Sequence, residues 1–472
     1  MKKYNLLVAI LLAMLLITGN NAYSAEVKTE QSQNTNKSQK LNAKIIDKNE
    51  YINQEWWSRF KDPVLSGYIK KTANSNYDLK IASLKVLETQ ALVRESLGKE
   101  FPLLNLGADL SRNKTSDNIS MGSFKQSSYT QSSFMLPLNV NYELDLWRKN
   151  REKTIQKGKD LEIANFDEKA LFIPLNSSVA STYFNVINID KQLELQKKIV
   201  AIRKEILDLT KENYKYGLST STEVTLAEKS LTEAESALSD IGKAQVLFLN
   251  QLAALTGDIY NMEDSSSLER KSIDDIEIPE HLPQSIKNEV IQKRPDILKA
   301  EAELQKSRID VSLAKKDFLP DITLTGQFGF NSNTFSKTFN WDSYVLSGGT
   351  SILQAVFTGG QRRARLKAKK YQYEQVLQNY QKVILTSLQE VNDSLAMLKF
   401  DTQKDINNLN RIDHEKDNLE SINIKYENGA VSYLDTLQYK ERVLTLEKEQ
   451  TQSKTDCFID SLSLYKAAGG NL

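Results

Sequence analysis

Long stretches of the chain place apolar residues alternately three and four positions apart, which is the pattern of helices that pack along a seam. The clearest seam occupies Val224, Ala227, Leu231, Ala234, Leu238, Ile241, Gln245, Phe248, Leu252 and Leu255. This heptad pattern predicts a coiled-coil helix at 220–256. Looser seams predict helices at 146–214, 360–427 and 432–467. A helix over 146–214 would be roughly 100 Å long at about 1.5 Å per residue, which exceeds any ordinary globular core.

Glycine and proline mark where these helices begin, end or bend. Gly217 and Gly429 lie in polar turns between long helices, and both are expected in left-handed conformations. Pro295 fits a first helical turn, and Asp296 suits the positive end of that helix. Pro174 is the one strong breaker in 146–214, so a kink or a local bulge is predicted there.

Other segments alternate apolar and polar residues at every second position, which predicts strands with one apolar and one polar face. These strands are predicted at about 103–112, 132–144, 320–331 and 343–357. Their lengths suit tilted membrane-spanning strands of about 9–11 residues. The alternative is a pair of hairpins from a soluble sandwich. Because a barrel needs about eight strands and lipid does not tolerate open sheet edges, spanning strands would have to be shared between chains.

The same order of elements occurs twice along the chain. Tyr214-x-x-Gly217 returns as Tyr426-x-x-Gly429, and the block from Asp78 to Pro102 returns from Asp296 to Pro320. Each copy also includes a shorter helix, predicted at 70–100 and at 287–318. The predicted units are a signal peptide at 1–24, a flexible arm at 25–50, a first repeat at 51–257, a linker or equatorial region at 258–284 and a second repeat at 285–472.

The first residues have the features of an export signal. Lys2 and Lys3 precede an apolar stretch from Leu6 to Ile17, and Ala22-Tyr23-Ser24 predicts cleavage after Ser24. The apolar stretch is too short for a membrane anchor, which needs about 20 residues. Cys457 is the only cysteine, so no lipid attachment is expected near the cleavage site, and a buried, unreactive thiol is expected at 457.

Charge and candidate chemistry argue against a nucleic-acid binder and against an enzyme. The 62 basic and 61 acidic residues nearly cancel, and the basic run from Gly359 to Arg365 is expected to be a solvated helix start. His281 and His414 lack metal-ligand spacing, and no phosphate-binding loop is found. The carboxylates are scattered along helices, where ion pairing is their expected role. No cofactor, metal or catalytic residue is therefore predicted.

Six motifs in a fixed order carry a resemblance to a known family. They are Trp56-Trp57-x-x-Phe60-x-Asp62-Pro63-x-Leu65, Tyr142-Glu143-Leu144-Asp145-Leu146-Trp147, Arg294-Pro295-Asp296-Ile297-x-x-Ala300-Glu301, Phe318-Leu319-Pro320-x-Ile322-x-Leu324-x-Gly326, Phe357-x-Gly359-Gly360 and Tyr465-Lys466-Ala467-x-Gly469-Gly470. With these motifs and the repeat spacing, nearly all of the mature chain resembles the TolC/OprM family of outer-membrane efflux proteins. Trp56 and Trp57 are expected to pack against the helical waist.

The resemblance implies an α+β membrane protein in the outer membrane of a Gram-negative type of envelope. Three copies would each give four strands to a twelve-stranded transmembrane β-barrel in outer-membrane lipid, continued by a long antiparallel coiled-coil α-helical barrel in the periplasm. This passive duct would export drugs, toxic compounds or metal ions together with a periplasmic adaptor and an inner-membrane transporter of the RND type. The alternatives are a pore-less periplasmic coiled-coil protein and a type I secretion duct.

Two departures from the family pattern affect the expected sites. The OprM branch commonly carries a lipidated N-terminal Cys, which is absent here, and Val431 stands where many OprM-like members have an Asp that helps to close the pore. The expected periplasmic gate residues are Lys425, Tyr426, Val431 and Asp435. The expected adaptor-contacting tip consists of Gly217, Leu218, Ser219, Gly429, Ala430 and Val431.

Overall fold

The computed structural model describes residues 56–470 apart from 117–119, 122–123, 126–127, 259–267, 280–282 and 284. The predicted signal peptide and flexible arm lie outside the described residues, as do much of the linker and His281.

Two helical hairpins of great length dominate the described chain. The helices are α1 (Pro63–Ser75), α2 (Tyr77–Gly98), α3 (Lys149–Lys215), α4 (Ser221–Thr256), α5 (Asn288–Gln292), α6 (Pro295–Lys316), α7 (Gln361–Glu427) and α8 (Tyr433–Ala467). Across the described residues, none of the helices has both the length and the apolar composition needed to cross a bilayer.

An antiparallel sheet joins the two halves of the chain. Its strands are β1 (Leu103–Leu106), β2 (Asp109–Lys114), β5 (Thr130–Glu143), β6 (Asp321–Ser332) and β7 (Tyr344–Leu353), and a separate small hairpin consists of β3 (Ser120–Met121) and β4 (Phe124–Lys125). Both β1 and β2 pair with β5, β5 pairs with β6, and β6 pairs with β7. The sheet of one chain is therefore open, with β1 and β2 at one edge and β7 at the other.

The long helices recur with a constant shift. Both α3 and α7 contain 67 residues, and they begin at Lys149 and Gln361, 212 positions apart. The returning helices α4 and α8 begin at Ser221 and Tyr433 with the same shift. Helical structure continues from Lys149 to Lys215 with Pro174 inside the helix, and the predicted kink or local bulge at Pro174 stays a prediction.

Two of the predicted helices were wrong in their boundaries. The helix expected at 70–100 is two helices, because Asn76 ends α1 and its Oδ1 accepts hydrogen bonds from the N–H groups of Asp78 and Leu79 at the start of α2. The helix expected at 287–318 divides into α5 and α6. Arg294 is extended at the division, as expected for the residue before a proline.

The strands also depart from the prediction. The strand expected at 103–112 is interrupted at Gly107 and Ala108, and the N–H of Gly107 donates to Pro137 O at 2.8 Å. Because Pro137 on β5 has no N–H, the ladder loses a donor at this place. The strand expected at 343–357 ends at Leu353, and the β3–β4 hairpin was not predicted.

The largest hydrophobic core lies where the chain before α1 packs on residues 173–187 of α3 and 458–465 of α8. This region is the helical waist. The Trp56 ring stacks on Tyr465 with centroids 4.1 Å apart, and Trp57 is almost fully buried, so the predicted packing of both tryptophans is confirmed. Phe184 stacks on Phe458 at 4.7 Å in the same cluster. Cys457 is buried as predicted, and burial raises the pKa of its thiol to about 12.

Each repeat fastens the end of its returning helix with a different side chain. In the first repeat, Asn76 Nδ2 donates to the carbonyl of Leu255 at 3.0 Å. In the second, the buried Arg294 donates through Nη1 to the carbonyl of Ala467 at 2.7 Å and also pairs with Asp296 and Glu390. The same architectural position therefore uses a neutral amide in one copy and an ionic network in the other.

Candidate channel surfaces: the strand wall and the helical tips

One face of the sheet is largely apolar. In the strand register Leu106 lies opposite Leu138, Leu138 opposite Phe328, and Phe328 opposite Leu346. The same face includes Leu104, Leu110, Phe134, Leu136, Val140, Tyr142, Ile322, Leu324, Phe330, Tyr344 and Ile352. Leu346 is 73% exposed in the single chain, so this face requires an apolar cover.

The opposite face of the sheet is polar and hydrogen-bonded between strands. Gln327 Nε2 donates to Asn139 Oδ1 at 3.0 Å, and Ser133 Oγ donates to Asn331 Oδ1 at 3.3 Å. Thr325 Oγ1 donates to the carbonyl of Gly349. The alternation predicted from the sequence is therefore confirmed, and the sheet is a wall with one apolar side and one side suited to water.

The two helical tips close with the same backbone motif. The N–H of Gly217 donates to Tyr214 O at 3.0 Å, and the N–H of Leu218 donates to Asn213 O at 2.8 Å. In the second tip, Gly429 and Ala430 donate to Tyr426 and Lys425 at 2.9 and 2.8 Å. Both glycines are left-handed, at φ 72° and 71°, which confirms the prediction and is the geometry of the Schellman motif.

Each returning helix then begins with a capping box. Thr220 exchanges hydrogen bonds with Glu223, and Ser432 does so with Asp435. Asp435 Oδ2 accepts from both the N–H and the Oγ of Ser432, at 2.9 and 2.7 Å. The predicted gate residue Asp435 thus uses its carboxylate to start α8, a stabilisation typically worth about 1 kcal/mol.

The first tip exposes apolar and aromatic side chains. Leu218 is 76% exposed and Tyr216 is 74% exposed, while Tyr214 is about half exposed. Ser219 lies beside them and is partly buried, and Gly217 is exposed. The structure therefore places an uncovered hydrophobic surface at the free end of the first hairpin.

The second tip packs its aromatic residues together. The rings of Tyr426 and Tyr433 lie 5.4 Å apart, and the Tyr433 hydroxyl donates to Glu205 Oε1 on α3 at 3.0 Å. This hydrogen bond raises the pKa of Tyr433. Val431 is half-buried, whereas Lys425 remains exposed. The predicted gate residues lie within one tip, and Tyr433 with Glu205 completes a contact that the sequence pattern did not identify.

Arg203 ties the two hairpins together behind the tips. Its guanidinium bonds Glu441 on α8 at 2.8 and 2.9 Å and donates to the carbonyl of Ser230 on α4 at 2.7 Å. Lys448 on α8 donates to Gln196 on α3 at 2.6 Å, and burial lowers the pKa of this lysine. Three long helices are therefore held in register by side chains that looked in the sequence like ordinary solvated charges.

Within the described residues, no three or more His, Cys, Asp and Glu side chains are grouped so that they could hold a metal ion. His414 lies on a polar surface between α7 and α8, next to Glu415 and Arg442.

Comparison with known proteins agrees with these surfaces. The family model described as outer membrane efflux protein matches residues 68–258 and 286–470. The pyoverdine export outer membrane protein OpmQ of Pseudomonas putida is 26% identical over 432 residues, covering 88% of each chain. The cation efflux system protein CusC of Escherichia coli is 26% identical over 430 residues, covering 89% of each chain.

Solved structures share the fold. The Campylobacter jejuni CmeC outer membrane channel superposes with a TM-score of 0.81 at 22% identity, over 89% of this chain and 88% of that one. The outer membrane protein VceC of Vibrio cholerae gives a TM-score of 0.76 at 23% identity, over 88% and 98% of the two chains. On the two matched segments, this chain belongs to the outer membrane efflux protein family, whose members are TolC-type proteins of the outer membrane.

Proposed function

We propose that the chain is the outer-membrane channel component of a tripartite efflux pump. The observation that carries this proposal is the two-faced sheet, which continues directly into two hairpins that each begin with a 67-residue helix. A wall that is apolar on one side and polar on the other separates lipid from a wet lumen, and the helices extend that lumen by roughly 100 Å at about 1.5 Å per residue.

The open sheet supports a trimer. The edges at β1 and β2 and at β7 carry unpaired backbone groups, which lipid does not tolerate. Counting β1 and β2 as one interrupted strand, each chain supplies four strands. Pairing β7 of one copy with β1 and β2 of the next would close a twelve-stranded barrel from three chains, in contact with outer-membrane lipid.

The tips are the proposed site of assembly and gating. The exposed surface around Leu218 and Ser219, together with Gly217, Gly429, Ala430 and Val431, would contact a periplasmic adaptor. Tyr426, Lys425, Val431 and Asp435 would narrow the entrance where the three second hairpins meet. An inner-membrane transporter of the RND type would drive export through this passive duct.

The proposed cargo consists of small molecules, including drugs, toxic compounds and metal ions. The relatives named for pyoverdine export and cation efflux support this class. A duct of this kind needs no catalytic group, and its width rather than a binding pocket would set the size of what passes.

A matched pair of variants tests the barrel. Leu138 and Asn139 are neighbours on β5 that point to the apolar and polar faces. Leu138→Arg should impair membrane insertion, at a cost of about 2–4 kcal/mol near the bilayer midplane, whereas Asn139→Arg should insert normally. The measurements are trimer yield in the outer membrane and single-channel conductance in a planar bilayer.

Two outcomes would contradict the proposal. Equal insertion of both arginine variants would show that the apolar face does not meet lipid. A wild-type protein that gives no conductance and stays a stable monomer without detergent would instead support a pore-less periplasmic coiled-coil protein.

A further inference from the structure

The charged side chains of the large sheet are sorted by sign between its two faces. Asp109, Glu143 and Asp321 are the carboxylates of its strands, and all three lie in phase with the polar face. Arg112 and Lys114 are the cations of its strands, and both lie in phase with the apolar face. In the strands that the structure describes, the polar face of this sheet therefore carries carboxylates and no cation.

The strand register fixes these positions. Leu106 lies opposite Leu138 and Asp109 lies opposite Met135, so the register of the pairing with β5 is unchanged across the interruption between β1 and β2. Because successive side chains of a strand point to opposite faces, Asp109 points away from the face of Leu106. Glu143 is eight positions after Met135 on β5, which is roughly 27 Å at about 3.4 Å per residue. The two carboxylates therefore lie near opposite ends of the sheet.

Among the described residues, one of the three carboxylates has a cationic partner and the other two have none. Lys149 at the start of α3 lies 3.4 Å from Asp321 and 3.3 Å from Asp317. The residues opposite Asp109 and Glu143 in the strand register are uncharged. The unbalanced negative charge of the polar face therefore belongs to Asp109 and Glu143.

The rest of the polar face is hydrated without charge. Elsewhere the face carries neutral groups that hydrogen-bond across strands, as Gln327 does to Asn139 and Ser133 to Asn331. A surface with charge of one sign concentrates counter-ions beside it, and rings of Asp or Glu side chains favour cations in membrane channels. A wall with this composition attracts cations and repels anions.

We propose that Asp109 and Glu143 form two carboxylate rings that make the duct favour cations over anions. The rings rest on the proposed trimeric barrel, which would place three copies of each carboxylate in the lumen. The Asp109 ring would lie toward the outer end of the barrel, and the Glu143 ring toward the helical tunnel. Cationic organic molecules and metal cations would therefore pass more readily than anions of equal size.

The test is the reversal potential of the full-length protein in a planar bilayer that separates about 0.03 M from about 0.3 M KCl, where charges are only partly screened. The wild type should pass K⁺ more readily than Cl⁻. Asp109→Asn with Glu143→Gln should lose most of this preference, and Asp109→Lys with Glu143→Lys should reverse the sign of the potential. The wild-type preference should weaken near 1 M salt, where the Debye length is about 3 Å.

The matched control removes charge from the other face of the sheet. Arg112→Gln with Lys114→Gln deletes two charges per chain, as the carboxylate pair does, and should keep the wild-type reversal potential. Asn139→Asp adds a carboxylate to the polar face halfway between the two rings and should increase the preference for K⁺. This gain tests the rings even where removal of a native charge impairs insertion.

Several results would overturn the proposal. A wild type that passes both ions equally would do so, as would an unchanged reversal potential in the Asp109 and Glu143 variants, which would place the preference in the helical tunnel or at the tips. An equal change in the Arg112 and Lys114 control would also overturn it, because net charge rather than position in the lumen would then set the potential. Failure of the barrel itself would be distinct, because the wild-type protein would then give no conductance at all.

Discussion

The two helical hairpins share their backbone geometry at the tip and differ in the side chains that the geometry presents. Both turns combine a Schellman motif with a capping box. The first turn leaves Leu218 and Tyr216 in solvent, while the second packs Tyr426 on Tyr433 and ties Tyr433 to the first hairpin. Because the backbone is the same, any difference in function must come from these side chains: an outward surface in one copy and an internal contact in the other.

The returning helices differ in the same way along their length. At positions related by the shift of 212, Ile241 and Phe248 of α4 correspond to Ser453 and Asp460 of α8. Ser453 Oγ donates to Asp405 Oδ1 on α7 at 2.7 Å. Separating an apolar seam costs about 25 cal/mol per Å² exposed, whereas water can replace a hydrogen bond at a net cost of about 1 kcal/mol. The second hairpin is therefore the one that we expect to move when the entrance opens.

The largest effect is expected from a charge on the outward surface of the first tip. Leu218→Glu should abolish efflux while leaving trimer yield unchanged, because docking would bury an unpaired carboxylate in the adaptor interface. The measurement is accumulation of an exported dye in cells that carry the variant as their only copy. Thr232→Glu, which adds the same charge to an exposed position farther along α4, is the control and should export normally.

A normal efflux rate in Leu218→Glu would contradict the inference that the two tips differ in function. The exposed leucine would then be a turn residue without a partner, and the difference between the two tips would have no bearing on assembly.

A smaller effect is expected at the second tip. Val431→Glu should raise the resting conductance of the reconstituted protein, because in the proposed trimer three carboxylates around a narrow ring would repel, by about 1 kcal/mol per pair at 4 Å even in bulk water. Val431→Thr keeps the shape without the charge and should stay closed. Conductance in a planar bilayer distinguishes the two, and an equally closed Glu variant would exclude Val431 from the entrance.

The repeated periodicity in the sequence predicted the long helices and the two faces of the strands. It succeeded there because a heptad seam and a strict alternation each permit one structure. It failed at two places. At Asn76 the side chain caps a new helix and so ends the previous one. At Gly107 a proline on the neighbouring strand, Pro137, interrupts the strand that the alternation predicts.

The tips were predicted only in part for a related reason. Glycine spacing indicates a turn, so Gly217 and Gly429 could be identified from the sequence alone. The pairing of Tyr433 with Glu205 joins residues 228 positions apart, and no local pattern specifies it. The role of Arg203 could not be identified from the sequence either, because its partners Glu441 and Ser230 lie on two different helices.

The smallest expected effect concerns a difference between the returning helices α4 and α8. Asp460 on α8 occupies the position that corresponds to Phe248 on α4. Asp460 is buried beside the Asp401 carboxylate, and its Oδ2 has no hydrogen-bond donor among the described residues. Burial, reinforced by Asp401 and Asp456 and only partly offset by Lys404, raises the pKa of Asp460 to about 7.

Between about pH 4 and pH 7 the folded chain therefore holds a proton that the unfolded chain releases, so this group lowers stability as the pH rises through that window. Asp460→Asn should remove this decline and stabilise the protein above pH 7 by about 1–3 kcal/mol, because the neutral amide is not repelled by the Asp401 carboxylate and its N–H can donate to that carboxylate. Thermal unfolding of the purified protein, measured from pH 5 to pH 8, gives the slope of stability against pH. The exposed Asp413→Asn on α7 is the control and should keep the wild-type slope. If Asp460→Asn keeps that slope as well, Asp460 does not contribute to the pH dependence of stability. The second hairpin would then differ from the first in packing alone.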